Sequence, residues 1–199
     1  DQQKLLTKTT LTTPAEFAAH PERSAGIYRS YEYLPGPAAP VPAGYEPFYI
    51  SHYGRHGSRY HSSEKAYDRP LGVLLQASEA GKLTPKGQEV LAKVEALAAD
   101  AYLRYGDLSP RGTAEHRGIA ERMYAAWPEV FSTEGGRVCR VESRSTLVPR
   151  CILSMAAFNE RLKELNPAIT TTRDASGRYL DYMARGNSLV LARKAVAAV

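Results

Sequence analysis

The sequence is poor in cysteine. Cys139 and Cys151 are the only two among 199 residues. They form neither a CxxC pair nor a zinc-type spacing, which argues against a disulfide-dense scaffold and the common zinc modules. Two readings stay open for them: free buried thiols, or a single pair in an oxidising compartment. No run of about 18 apolar residues occurs, so no segment is long and apolar enough to cross a membrane as a helix. The opening stretch DQQKLLTKTT has no signal-peptide core, and an export signal would have to have been removed ahead of it. The 26 Lys plus Arg are spread through the chain rather than gathered into a tail. No nucleic-acid-binding motif accompanies them, which leaves a nucleic-acid partner unsupported.

What is present is an ordinary globular composition. Hydrophobic residues make up 43% and charged residues 24% of the chain, enough apolar material for a core. A net charge of +5 and a pI near 9.2 suit an anionic ligand without singling one out.

Along the chain, TTPAEF has Thr13 as a helix cap and Pro14 in the first turn. LPGPAAPVPAG, residues 34–44, is too rich in proline and glycine for regular structure. YEPFYISHY then reads as a short buried strand ending at Tyr53. Asp68 is placed to cap RPLGVLLQASEA, which Gly81 ends. Thr84 and Pro85 start a second helix whose apolar residues Val90, Leu91, Val94, Leu97, Ala98 and Ala101 recur at helical spacing, with Gly106 as its stop. Ser109 and Pro110 start a third, which ends at Pro128. GGRVCRVES is a turn into a second strand. The next segment has polar caps and then a helix with Ile152, Met155, Leu162 and Leu165 on one side. AITTT is a third strand, and from Asn187 the pattern turns helical again up to Val199, with no glycine or proline stop. This order predicts an α/β fold.

One stretch, SHYGRHGSRYHSS at residues 51–63, crowds three histidines and two arginines around two glycines. A phosphate-ester hydrolase needs a nucleophile that can carry a phosphoryl group and cations around its oxygens. Neutral imidazole supplies the first. The planar donor fork of arginine supplies the second. A glycine beside the histidine allows close approach of backbone and phosphate. RHGSR offers all of these in Arg55, His56, Gly57 and Arg59. The rivals are a metal site on His52, His56 and His61, and a plain solvated loop. Arg55 and Arg59 would repel a cation, and Glu64 is the first nearby carboxylate.

RHGSRYH, LSPRGTAEH and STLVPRCILSM follow one another in the order found in the histidine phosphatase superfamily, in its acid-phosphatase and phytase branch. The chain resembles most the multiple inositol polyphosphate phosphatases, from about Gly44 to Phe158 and more loosely beyond. The resemblance implies part of a three-layer α/β/α, phosphoglycerate-mutase-like sheet domain. Residues 1–61 and 129–199 would form the N-terminal portion of that catalytic core, and 62–128 a mainly helical insertion. It implies His56 as the nucleophile that becomes a phosphohistidine, and Arg55, Arg59 and Arg150 as phosphate-binding residues. Arg150 also starts a helix just after a strand, where open α/β sheets place ligands. Arg144 is a weaker candidate for a second substrate contact. His116 is expected to make a structural hydrogen bond. His61 stands where many relatives have proline, which fits the inositol polyphosphate subgroup. No metal or other cofactor is implied, because arginines neutralise the charge.

The family's second pocket histidine with its adjacent acid, His-Ala-Glu or His-Asp, does not occur, and no histidine follows His116. The chain is therefore expected to be part of a longer protein whose other half supplies the leaving-group acid and covers the sheet left unpaired. Three functions follow. The first is hydrolysis of inositol polyphosphates such as phytate. The second is phosphatase or phosphotransferase chemistry on other monoesters. The third is a non-catalytic phosphate-binding module. A periplasmic or extracellular location is the expectation from the resemblance.

Overall fold

The computed structural model describes residues 14–31, 33, 41–179 and 183, and the chain divides into two compact units, Asp1–Pro37 and Ala38–Val199. In the first unit, helix α1 (Pro14–Ala19) begins on the proline that the sequence marks, and a 3-10 stretch, Pro21–Tyr28, follows it. The expected cap, Thr13, lies outside the described residues, as does the helical pattern after Asn187.

The second unit holds the remaining elements. Helix α2 spans Lys65–Glu79 and starts ahead of Asp68, the expected cap, which instead occupies its first turn. The extra turn is wound by Tyr67 N–H and Asp68 N–H, both donating to Glu64 O at 2.8 and 3.1 Å. That turn buries Tyr67, whose hydroxyl accepts the His61 N–H at 2.7 Å. The exit of α2 follows the sequence: Gly81 has φ +64°, and the N–H groups of Gly81 and Lys82 return to Ser78 O and Ala77 O, each at 2.9 Å. This is the paired closure that a left-handed glycine permits.

Helix α3 (Pro85–Ala101) has Thr84 accepting from Gly87 N–H as its cap. It stops at Ala101 rather than running to Gly106. Gly106, at φ +83°, serves a different contact, its N–H donating to His61 O at 2.9 Å. Of the expected apolar stripe, Ala101 is fully buried, while Val90 and Leu97 are exposed. Helix α4 (Pro110–Ala126) starts on Ser109 and Pro110 and ends before Pro128, as the pattern requires. A single turn, α5 (Pro128–Phe131), follows.

Strand β1 (Arg140–Ser145), helix α6 (Pro149–Leu165) and strand β2 (Thr170–Ala175) complete the unit. The strands pair in parallel from Arg140 opposite Thr170 to Ser145 opposite Ala175, and α6 makes the crossover that a parallel pair needs. The chain is thus an α/β protein. Two details differ from the sequence reading. Residues 45–53, expected as a buried strand, are in no strand pair, and Tyr45, Phe48, Tyr49 and Tyr53 are exposed. Aromatic content alone does not make a strand where no ladder partner lies alongside. Helix α6 has no side-chain cap: Val148 holds the cap position, and the Ser145 hydroxyl donates to Thr146 O.

The core gathers Ala120 from α4, Phe131 from α5, Cys139, Leu162 from α6 and Ile169, with Ile50, Val141 and Phe158 packed against it. Both cysteines are free, Cys139 buried and Cys151 half-buried. Helix α4 packs along α6, and α2 against α3. Ion pairs cross the outer α4–α6 seam: Arg117 to Glu164 at 2.6 Å and Arg161 to Glu121 at 2.7 Å, while Arg161 also reaches Glu164 at 2.7 Å. Asn159, fully buried on α6, donates to Ser143 Oγ and to Met155 O, which satisfies a polar group the apolar pattern does not anticipate.

Leu162 has no exposed surface. Leu162→Ala is expected to remove about 2–5 kcal/mol of stability. Denaturant titration checks this, and a loss well under 1 kcal/mol would mean that the α4–α6 interface collapses around the gap.

Candidate active site

The segment Arg55–Arg59 lies against helix α4, and glycine makes that possible. A Cβ on Gly57 would stand 2.4 Å from Gly112 O, and one on Gly112 would stand 2.2 Å from Ser58 O. Neither position has room for a side chain, so backbone meets backbone. The contact is then secured at successive residues. His116 Nε2–H donates to Arg55 O at 3.2 Å. Gly57 N–H donates to Ser154 Oγ of α6 at 3.1 Å. Ser58 gives its N–H and its hydroxyl to the two carboxylate oxygens of Glu115, both at 2.7 Å. Ser58 O accepts from the N–H and the hydroxyl of Ser109 at 2.9 and 2.8 Å. Beyond the clamp, Arg59 bridges to Leu108, and Tyr60 N–H donates to Asp107 O.

His56 Nδ1 lies 2.8 Å from Gly57 O. A carbonyl oxygen only accepts, so Nδ1 carries the proton and Nε2 keeps its lone pair. Partial burial lowers the pKa of this half-buried imidazole, and the positive charges of Arg150, Arg55 and Arg59 lower it further, against the opposing effect of the Gly57 bond. The group is therefore held neutral below the usual histidine range, the state a nucleophile requires.

The structure brings Arg55, Arg59 and Arg150 into the electrostatic environment of His56. Arg150, in the first turn of α6, donates from Nη1 to Gly106 O at 3.2 Å, while its buried Nε has no hydrogen-bond partner. A buried guanidinium N–H without an acceptor is costly. Arg59 donates from Nη1 to Tyr60 O at 2.8 Å. Arg144 is exposed on β1, 3.5 Å from Glu142. His116 makes the backbone hydrogen bond expected of it. His52 stacks flat on Phe158 with ring centroids 5.7 Å apart, and His61 meets the edge of Tyr67. Among the described residues, no group of three or more His, Cys, Asp or Glu is arranged to hold a metal ion.

Glu115 and Ser154 escape the sequence reading. Ser109, Gly112, Glu115 and His116 recur at three- and four-residue intervals, which places them on one side of α4. That spacing was the available signal. Its small and polar members did not read as a packing face.

Two predictions follow from this geometry. Gly57→Ala forces the loop off α4 and is expected to lower the melting temperature and disturb His56. Thermal unfolding with histidine ring NMR checks it, and a folded variant with unshifted His56 signals would contradict the close contact. The second concerns pH. His116 is lowered chiefly by burial, as is His56, so the folded state takes up these protons at lower pH than the unfolded chain. Below the ordinary value of 6.5 the unfolded chain binds more protons, so stability is full above that pH and falls as pH drops towards the lowered folded-state values. Replacing His116 by Gln, which can still donate to Arg55 O, is expected to flatten this slope in denaturant midpoints measured against pH. An unchanged slope would rule out His116 as a contributor.

No protein-family model matches the chain, and no curated protein matches it. Solved structures do. A Bifidobacterium longum multiple inositol polyphosphate phosphatase in complex with inositol hexasulfate matches with a TM-score of 0.57 at 23% identity. The same enzyme in complex with phosphate matches with a TM-score of 0.57 at 25% identity. Each comparison covers 71% of this chain and 29% of the other, so the chain spans less than a third of that enzyme's length. In fold, the chain is close to a multiple inositol polyphosphate phosphatase over the part that the two share.

Proposed function

We propose that the protein to which this chain belongs hydrolyses phosphate monoesters, with inositol polyphosphates as its substrates, through a phosphohistidine on His56. One observation carries the reading: an imidazole whose Nδ1–H is committed to Gly57 O, leaving Nε2 as the nucleophilic atom, in the field of Arg55, Arg59 and Arg150. Nε2 attacks phosphorus in line, and the P–O ester bond breaks as the N–P bond forms. The guanidiniums of Arg55, Arg59 and Arg150 stabilise the charge on the phosphoryl oxygens. The departing alkoxide takes a proton from an acid outside these residues. Water then attacks phosphorus, releases inorganic phosphate and restores the imidazole. The net charge of +5 suits a polyanionic substrate. So does the fold likeness to an enzyme crystallised with inositol hexasulfate.

The test is chemical trapping with the full-length protein. Radiolabelled phytate, quenched early, is expected to leave a base-stable, acid-labile phosphoprotein, and His56→Ala to leave none. Persistence of the label in that variant overturns the reading. Arg150→Ala is expected to lower kcat by about 100- to 1,000-fold, as loss of an oxyanion donor does. Phosphate release from phytate measured against a small aryl phosphate separates inositol polyphosphate hydrolysis from general monoesterase activity.

A further inference from the structure

Glu115 has little exposed surface, only 8% of its side chain, and spends both oxygens on one residue. Its Oε2 accepts the Ser58 N–H at 2.7 Å. That N–H belongs to the peptide group whose carbonyl is Gly57 O, and Gly57 O accepts His56 Nδ1–H at 2.8 Å. The N–H and C=O of one planar trans peptide point to opposite sides. One amide therefore stands between a carboxylate and the imidazole. Resting on the function proposed above, we infer that Glu115 is a positioning residue that acts on His56 through the Gly57–Ser58 peptide.

The physics is that of a hydrogen-bond chain. An anionic acceptor on the N–H polarises the amide and makes its carbonyl a better acceptor. The carbonyl then holds the Nδ1–H tautomer more firmly, which keeps the lone pair on Nε2. When Nε2 acquires the phosphoryl group, the ring becomes cationic with its proton still on Nδ1, and the same carbonyl stabilises that charge. A carboxylate that contacts a catalytic histidine directly performs this service in serine hydrolases. Here an amide is interposed. The second Glu115 oxygen, bound to the Ser58 hydroxyl, stops the carboxylate from rotating off the N–H. Arg111, at 3.7 Å, is the cation nearest to Glu115. The other charged or titratable groups acting around His56 are Arg55 and Arg59 from its own loop, Arg150 from α6 and His116 from α4.

Glu115→Gln separates charge from geometry. The Gln carbonyl can accept from Ser58 N–H, and its amide can donate to the Ser58 hydroxyl, so the loop stays clamped while the negative charge is lost. In the full-length protein this variant is expected to lower the rate of phosphoenzyme formation by about 10- to 100-fold, by analogy with the loss of a hydrogen-bond partner that orients a metal-ligating histidine, with KM unchanged. The acid limb of kcat/KM should move to lower pH, because the cationic imidazole has lost support. Glu115→Asp, which keeps the charge, should restore part of the rate. Nitrogen NMR of the His56 ring reads the same relay without turnover: Nδ1–H dominates in the wild type, and the Nε2–H form grows in Glu115→Gln. An unchanged tautomer and unchanged acid limb in Glu115→Gln would overturn the inference. Failure of the wild type to form any phosphoenzyme would overturn the function instead, and the NMR result would still decide the role of Glu115.

Discussion

Everything at the site depends on one close approach, backbone against backbone, between Gly57 and Gly112. With no Cβ on either residue, the loop that carries His56 settles onto the N-terminal half of α4. From there Ser109, Glu115 and His116 reach its polar groups on one side, and Ser154 reaches them from α6. Among the described residues no strand pairs with 45–53, so no sheet ladder there holds the loop. Side-chain hydrogen bonds do that work. A loop held in this way has its main-chain donors and acceptors assigned in advance, which would lower the reorganisation needed in the reaction proposed for it.

Electrostatics divides the labour around His56. The three guanidiniums oppose protonation of the ring, and the Gly57 carbonyl favours it. These are different demands of one reaction. In the reaction proposed above, the free site needs a neutral nucleophile, and the phosphorylated site needs a stable cation. Arginines whose charge is offset by a bound phosphate can serve the first demand when the site is empty and relax their opposition once it is filled.

Much of this was legible in the sequence, for reasons that can be named. Thr84–Pro85 and Ser109–Pro110 announce α3 and α4, because cap and proline act within one turn and need no distant partner. The parallel strands after Gly136 and Pro167 were readable for a similar reason, from turn residues beside short β-rich runs. His56 with Arg55, Arg59 and Arg150 stood out by residue type and order. Illegible were features decided at a distance. Nothing near Tyr45–Tyr53 says whether a neighbouring strand lies alongside. Asp68 looks like a cap until burial of Tyr67 winds the helix back to Lys65. Glu115 looks like any surface glutamate until Ser58 is set against it, 57 residues away in sequence.

The ion pairs along the outer α4–α6 seam bear on the site as well. Exposed pairs of this kind contribute little to folding free energy. Their geometry is nevertheless discriminating: Glu164 takes Arg117 from one helix and Arg161 from its own, while Arg161 also takes Glu121. Sliding α6 by one turn, about 5.4 Å, would unmatch both pairs that cross the seam, Arg117–Glu164 and Arg161–Glu121, together. The seam therefore acts as an index mark for axial alignment. It fixes how far along α4 the other helix stops, and so whether Arg150 in its first turn and Ser154 in its second arrive level with the loop they contact.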